Sequence, residues 1–275
     1  CNISWWGCVL LGSILSATDP VAVVAVLKTL GAPAHLQHMI EGESLLNDGS
    51  AVVVFLVAQQ MLNVDTALTV PEIIGKFLRL AGGGVLWGLC AGYVAFFWCK
   101  LSRHASVIDI AVLVLCIYMV FYLGEWHLHV SGVLASVTFG VLFCRLAPHA
   151  MSEHVQHHNH VVFEQICHFA ETHIFMLAGL IIHRRFFISM SDLDMAYHIP
   201  ISLVLYLVLH VIRASVIGLF TPILGRLGYG LTLGESVIMT YGGLRGAVSL
   251  AMALMLDLDK TVDEVFRDLV VFHTA

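Results

Sequence analysis

Long apolar stretches dominate this 275-residue chain and leave little choice of fold. An α-helix needs about 20 mostly apolar residues to cross a bilayer. Eight segments come close to or exceed that length: residues 5–27, 39–62, 73–99, 106–123, 130–146, 163–182, 199–224 and 233–256. Their apolar residues are continuous rather than alternating, which disfavours a barrel. Because a helix satisfies its own backbone in lipid, the sequence predicts an all-α polytopic membrane protein with about eight transmembrane helices.

The composition supports the same class. Only 12% of the residues are charged, against roughly 25% in a soluble domain. The thirteen lysines and arginines form no basic patch, so we expect a lipid bilayer and no nucleic acid as a partner. Seven cysteines without a CxxC motif indicate neither a disulfide framework nor a metal site. The chain starts without Met and ends in a polar stretch, and we expect it to be a fragment.

Several ionisable residues lie inside these apolar segments. Each costs roughly 2.5–3.5 kcal/mol on insertion scales and is a functional candidate by default. The candidates are Asp19 in the first segment, Glu43 and Asp48 in the second, Glu171 in the sixth, Arg213 in the seventh and Arg245 in the eighth.

The second segment carries its polar residues at helical spacing. Ser44 and Asp48 are four residues apart, as are Glu43 and Asn47, so one helical turn presents a hydroxyl, an amide and carboxylates. Hard oxygen ligands of this kind suit a small cation or a proton. The alternative is a structural polar network between helices.

Two segments contain helix-breaking residues at their centres. Thr18-Asp19-Pro20 interrupts the first segment, and the run Gly242–Gly246 interrupts the last. Each break alone could be an ordinary kink. A pair of breaks in separate halves is typical of a secondary transporter built from inverted repeats.

Three motifs resemble the cation/proton antiporter family of Na⁺/H⁺ exchangers. They are Ser16–Val23, Glu41–Gly49 and Tyr241–Val248, in the order that the family has them. The segment His129–Leu134 is most similar to the plant salt-tolerance and sperm-type branch.

This resemblance implies an inverted-repeat antiporter fold with crossed broken helices. The chain would supply helices five to twelve of thirteen, and the protein would be a homodimer in the plasma membrane. The implied division is a transport core in 1–62 and 163–256, scaffold and dimerisation helices in 63–146, a His-rich loop in 147–162 and a polar connection in 257–275.

The resemblance also implies the ion-binding residues. Asp48 would bind the transported Na⁺ and the proton, with Ser44 and Thr18 as oxygen ligands. Asn47 and Asp19 would join this group and shape the crossing of the broken helices.

Further residues would support the crossing. The resemblance pairs Glu43 with Arg213 as a structural ion pair, and Glu171 matches a family acid. We expect the guanidinium of Arg245 to satisfy carbonyl groups freed at the second break.

The function that follows is exchange of Na⁺, or another monovalent cation, for H⁺ by alternating access, electroneutral and without a cofactor, serving sodium transport and pH regulation. A cation channel is the alternative, which would need a continuous polar pore. A membrane di-iron enzyme is a third, suggested by the spacing His154-x-x-His157-His158. The loop 147–162 holds five histidines: His149, His154, His157, His158 and His160. They could equally form a solvated polar loop or a pH sensor, and we do not expect an enzyme.

Overall fold

The computed structural model describes residues 4–63, 70–102, 106–183, 195–225, 230, 232–259 and 262–274. These residues are almost entirely helical, in agreement with the predicted all-α class, and one isolated β-bridge among them joins Asp19 to Leu244. The six cysteines among them are free thiols, and Cys1 lies outside the described residues.

Eleven α-helices are described. They are α1 Trp5–Ser16, α2 Val21–Thr29, α3 Ala34–Asn63, α4 Val70–Leu101, α5 Ser106–Leu123, α6 Gly132–Ala150, α7 Glu153–His183, α8 Met195–Leu224, α9 Leu233–Tyr241, α10 Ala247–Leu258 and α11 Glu264–Thr274. A π-helical turn, Gly124–Leu128, follows α5.

Five of the described helices are long and apolar enough to cross a membrane, by length and composition. They are α3, α4, α5 with the π-helical turn, α6 and α8. This count differs from the eight predicted spans for two reasons. The first and last predicted spans are each divided into two short helices. The helix α7 has sufficient length, but its many histidines and its glutamates lower its hydropathy.

Both interruptions occur where the sequence predicts them. Pro20 is the N-cap residue of α2, a position where the N–H that proline lacks has no helical partner in any case. Gly246 is the N-cap residue of α10 and has an extended backbone, with φ −138° and ψ −157°. The helical hydrogen-bond ladder therefore stops on both sides of each break, which leaves backbone groups available for other partners.

The chain divides into two compact units, and the first comprises Cys1–Ser13 and Gly49–Phe175. Its α4 and α6 pack backbone against backbone. A Cβ atom on Gly84 would be 2.7 Å from the carbonyl oxygen of Ser131, and Gly88 leaves no room for a Cβ atom against the carbonyl of Ala135. Small residues at a helix interface permit this close approach in membrane proteins.

The second unit comprises Ile14–Asp48 and Met176–Ala275. One buried cluster in this unit consists of apolar side chains from α2, α3 and α9: Val24, Leu27, Leu36, Ile40 and Met239. The helix α9 packs on α8, and α11 packs on α10. The unit boundaries fall within α1, α3 and α7, whereas the division into transport core and scaffold segments stays a prediction.

Two predicted connections are helical instead. In the predicted loop 147–162, only Met151 and Ser152 lie outside α6 and α7. No proline or glycine occurs from 153 to 162, and histidine and glutamine interrupt a helix far less than those residues do. The loop prediction is therefore wrong for 147–150, which belong to α6, and for 153–162, which belong to α7.

The predicted polar connection 257–275 contains α11, Glu264–Thr274. Its side chains Val270, Val271 and Phe272 are buried. A segment that mixes charged and apolar residues at helical spacing can form an amphipathic helix with one packed face, and α11 is such a segment.

Candidate functional site

A backbone contact joins the two helix interruptions. The N–H of Asp19 donates to the carbonyl oxygen of Leu244 over 2.7 Å, as part of an antiparallel bridge. Each of these groups lies where a helix has stopped and has no helical partner. This bond therefore satisfies one donor of the first break and one acceptor of the second, and it joins the two breaks.

One turn of α3 contacts the first interruption through three side chains. The carboxylate oxygen Oδ1 of Asp48 accepts from the N–H of Thr18 over 3.1 Å, and the Ser44 hydroxyl donates to the Thr18 carbonyl. The amide nitrogen of Asn47 contacts the Thr18 hydroxyl over 3.3 Å and donates to the carbonyl of Ser16. The polar residues that the sequence places at helical spacing thus meet the backbone of the first break.

These contacts define what the site can bind. Asp48 is partly exposed, whereas Thr18 and Ser44 are buried. A carboxylate with hydroxyl oxygens beside it provides hard ligands for a small cation, and the same carboxylate can bind a proton. Asp48, Thr18 and Ser44 are therefore the residues that could hold Na⁺, and their roles stay predictions.

Asp19 has a different local task. Its Oδ1 accepts from the N–H of Val21 over 3.0 Å, which satisfies a free donor at the start of α2. Its side chain also fills the space in front of Gly246, where a Cβ atom would overlap it. These contacts bring Asp19 against the second break, while its roles in shaping the crossing and in binding the ion both stay predictions.

Arg213 connects α8 to both α3 and α9. Its Nη2 lies 2.7 Å from Glu43 Oε2, and its Nε donates to the carbonyl oxygen of Met239 over 3.0 Å. Gly243 makes room for this side chain, because a Cβ atom there would be 2.7 Å from Arg213 Nε. The Met239 carbonyl belongs to the last turn of α9, so Arg213 reaches the backbone near the second break.

The sequence predicts that Arg245 donates to the carbonyl groups freed at the second break. Among the described residues, the guanidinium that donates to a carbonyl near the second break is that of Arg213. Arg245 lies on the wall of a cavity of about 480 Å³, together with Glu43, Asn47 and Arg213, and its contact with freed carbonyl groups stays a prediction. Glu171 lies in α7, in the part that belongs to the first unit, and its role stays a prediction.

Two features of this region were missed from the sequence. Tyr206 and His210, on α8, line the same cavity. His35 Nε2 lies 2.7 Å from Glu235 Oε1, which links the start of α3 to the start of α9. The Thr232-x-x-Glu235 capping box was visible as a helix-start signal, but no sequence pattern connects positions 35 and 235.

Interrupted helices joined at their breaks, beside an acidic turn of a long apolar helix, are an arrangement typical of secondary transporters in the membrane. The family comparison agrees with that class: the family described as "Sodium/hydrogen exchanger, transmembrane" matches residues 1–274. The chain therefore belongs to the sodium/hydrogen exchanger family, and the family is one of transporters rather than enzymes.

Curated relatives match almost the whole chain. It is 38% identical to sodium/hydrogen exchanger 7 of Arabidopsis thaliana over 91% of this chain and 22% of the relative. It is 37% identical to sodium/hydrogen exchanger 8 of the same plant, over 92% of this chain and 33% of the relative. It is 33% identical to the Na⁺/H⁺ antiporter NhaP of Pseudomonas aeruginosa, over 91% of this chain and 58% of the relative. The chain thus spans between 22% and 58% of the length of these relatives.

Proposed function

We propose that the protein containing this chain exchanges Na⁺, or another monovalent cation, for H⁺ across a membrane. The observation that carries the proposal is the position of Asp48, whose carboxylate contacts the N–H of Thr18 where the first interrupted helix meets the second. The names of the relatives, sodium/hydrogen exchangers and a Na⁺/H⁺ antiporter, support the same reaction.

Exchange follows from competition for one carboxylate. Asp48 binds either Na⁺, with the hydroxyls of Thr18 and Ser44 as further ligands, or a proton. A protein that alternates its access between the two sides while Asp48 is occupied releases one ion before it binds the other. Binding and release of both ions at one group then couples the two fluxes without any cofactor.

The proposal includes an architecture. The joined interruptions of α1/α2 and α9/α10 support an inverted-repeat fold with crossed broken helices, in which this chain contributes eight membrane-spanning elements. Residues 63–146 serve as the scaffold through which two copies form a homodimer, and the protein resides in the plasma membrane. The glycine-mediated packing of α4 on α6 supports a rigid scaffold there.

The proposal also includes electroneutral exchange. Asn47, beside Asp48, is not ionisable, and Glu43 is paired with Arg213. Of the polar side chains on this turn of α3, Asp48 is then the one left to bind and release a proton, so one proton exchanges for one monovalent cation.

The test is reconstitution of the full-length protein into liposomes with an imposed pH gradient. Sodium-dependent proton movement should occur in the wild type and be lost in Asp48→Ala. Glu164→Gln is the matched control, since Glu164 is an exposed carboxylate in the middle of α7, and it should retain exchange. Substantial exchange in Asp48→Ala would overturn the assignment of the site. Sodium flux that ignores the proton gradient would instead identify a channel.

A further inference from the structure

Three histidines in the described helices share one local geometry. The Nδ1 atoms of His158, His173 and His210 lie 2.9, 2.7 and 3.0 Å from the carbonyl oxygen four residues earlier in the chain. A carbonyl oxygen only accepts hydrogen bonds, so Nδ1 is the donor in each ring. In the neutral ring the lone pair then resides on Nε2, which is left for another partner.

The three differ in the ring that each packs against. His173 packs on Phe169, with centroids 4.1 Å apart, and His210 packs on Tyr206 at 4.2 Å. The rings of Phe169 and Tyr206 contain no nitrogen, so neither can act as a second nitrogen ligand beside the histidine.

His158 packs on His154, with ring centroids 4.3 Å apart. Both side chains are exposed on α7. Of the three pairs, this one alone brings two imidazole rings together on one helical face, at the four-residue spacing with which helices bind zinc through two histidines.

We propose that His154 and His158 together bind a divalent transition-metal ion such as Zn²⁺ or Cu²⁺, each through one imidazole nitrogen. Imidazole is a preferred ligand of both metals. The bond from His158 Nδ1 to the backbone carbonyl fixes the ring and its tautomer, as the other ring nitrogen of a metal-binding histidine commonly does.

The site is mononuclear and differs from a di-iron centre. No group of three or more His, Cys, Asp or Glu side chains able to hold a metal occurs in the described part of the chain. The chain therefore supplies two ligands, and water completes the coordination. The binding site does not depend on the proposed transport reaction.

The experiment is a calorimetric titration of the purified full-length protein with Zn²⁺ in detergent. We compare the wild type with His154→Ala, His158→Ala and the matched control His173→Ala, which has the same carbonyl contact but no histidine partner. The first two variants should bind Zn²⁺ about tenfold or more weakly at the tightest site. The control should bind as the wild type does.

A second readout counts the ligands. With Cu²⁺ as the probe, the electron paramagnetic resonance spectrum should show hyperfine coupling to two nitrogens in the wild type and to one in each single variant. Both substituted residues are exposed, so unchanged thermal unfolding should show that the variants fold. Equal Zn²⁺ affinity in the wild type and His158→Ala would overturn the proposal, as would Cu²⁺ spectra that do not change.

Discussion

Asp19 and Gly246 are in such close contact that residue 246 has no room for a side chain. The contact lies beside the bridge between Asp19 and Leu244, so it sets how closely the two interrupted helices can approach. The extended backbone of Gly246 is accessible to any residue. The requirement for glycine is therefore steric, arising from the neighbour and not from the dihedral angles.

Gly246→Ala should destabilise the protein for this reason. Forcing a methyl group into a packed site typically costs about 1–3 kcal/mol. Gly234→Ala is the control, because a Cβ atom at position 234 of α9 meets nothing within 4 Å. Thermal unfolding in detergent should show a lower midpoint for Gly246→Ala and no loss for Gly234→Ala. Equal midpoints for the two variants would contradict the close contact.

Glu43 and Arg213 should be energetically coupled. Removing either partner leaves the other charge without its counter-charge, which costs roughly 3–5 kcal/mol for a fully buried pair. We expect a smaller loss here, because 31% of the Glu43 side chain is exposed. Glu43→Gln and Arg213→Gln should each lower the unfolding midpoint, and the double variant should recover part of that loss.

The two single substitutions should not be equal in effect, because Arg213 has a second contact. Arg213 also donates to the Met239 carbonyl, so Arg213→Gln should destabilise more than Glu43→Gln does. Additive effects of the two substitutions would show that the pair contributes nothing as a pair.

Gly88 should be essential for the packing of α4 on α6. Alanine favours a helix over glycine by about 1 kcal/mol, so Gly88→Ala would be stabilising if the position were open. Because a Cβ atom at position 88 would collide with the Ala135 carbonyl, we expect Gly88→Ala to destabilise the protein instead. Gly82→Ala, on the same helix with nothing within 4 Å of its Cβ position, should be neutral or stabilising. Unfolding midpoints of the two variants that move in the same direction would refute the packing argument.

Exchange should be indifferent to the membrane potential. A potential acts on net charge moved, at about 2.3 kcal/mol per charge per 100 mV, and one-for-one exchange moves none. The measurement is the reversal point of Na⁺/H⁺ exchange in proteoliposomes whose potential is clamped with K⁺ and valinomycin. A reversal point that shifts with the clamped voltage would mean that a second charge travels, through Glu43 or Asp19.

The features accessible from sequence were those with a local chemical cause. Pro20 and the glycine run around Gly243 each disfavour a continuous helix through their own backbone chemistry, and the polar turn of α3 is visible as spacing. The partner of Glu43 was indicated by resemblance alone, because no periodicity connects it to a residue on α8. The second contact of Arg213, to the backbone of α9, follows only from the packed arrangement. A long side chain such as that of Arg213 can reach several acceptors, and the sequence does not predict which of them it contacts.

The bridge between Asp19 and Leu244 also has a consequence for how the protein is made. The two residues lie near opposite ends of this chain, and synthesis produces the N-terminal segments first. Until Leu244 has been inserted, the N–H of Asp19 has no bridge partner, and an unsatisfied backbone group is costly in lipid. We therefore expect the first interrupted helix to lack its final conformation until the bridge to Leu244 forms. The crossing should assemble among the last steps of biogenesis, once the C-terminal segments have entered the membrane.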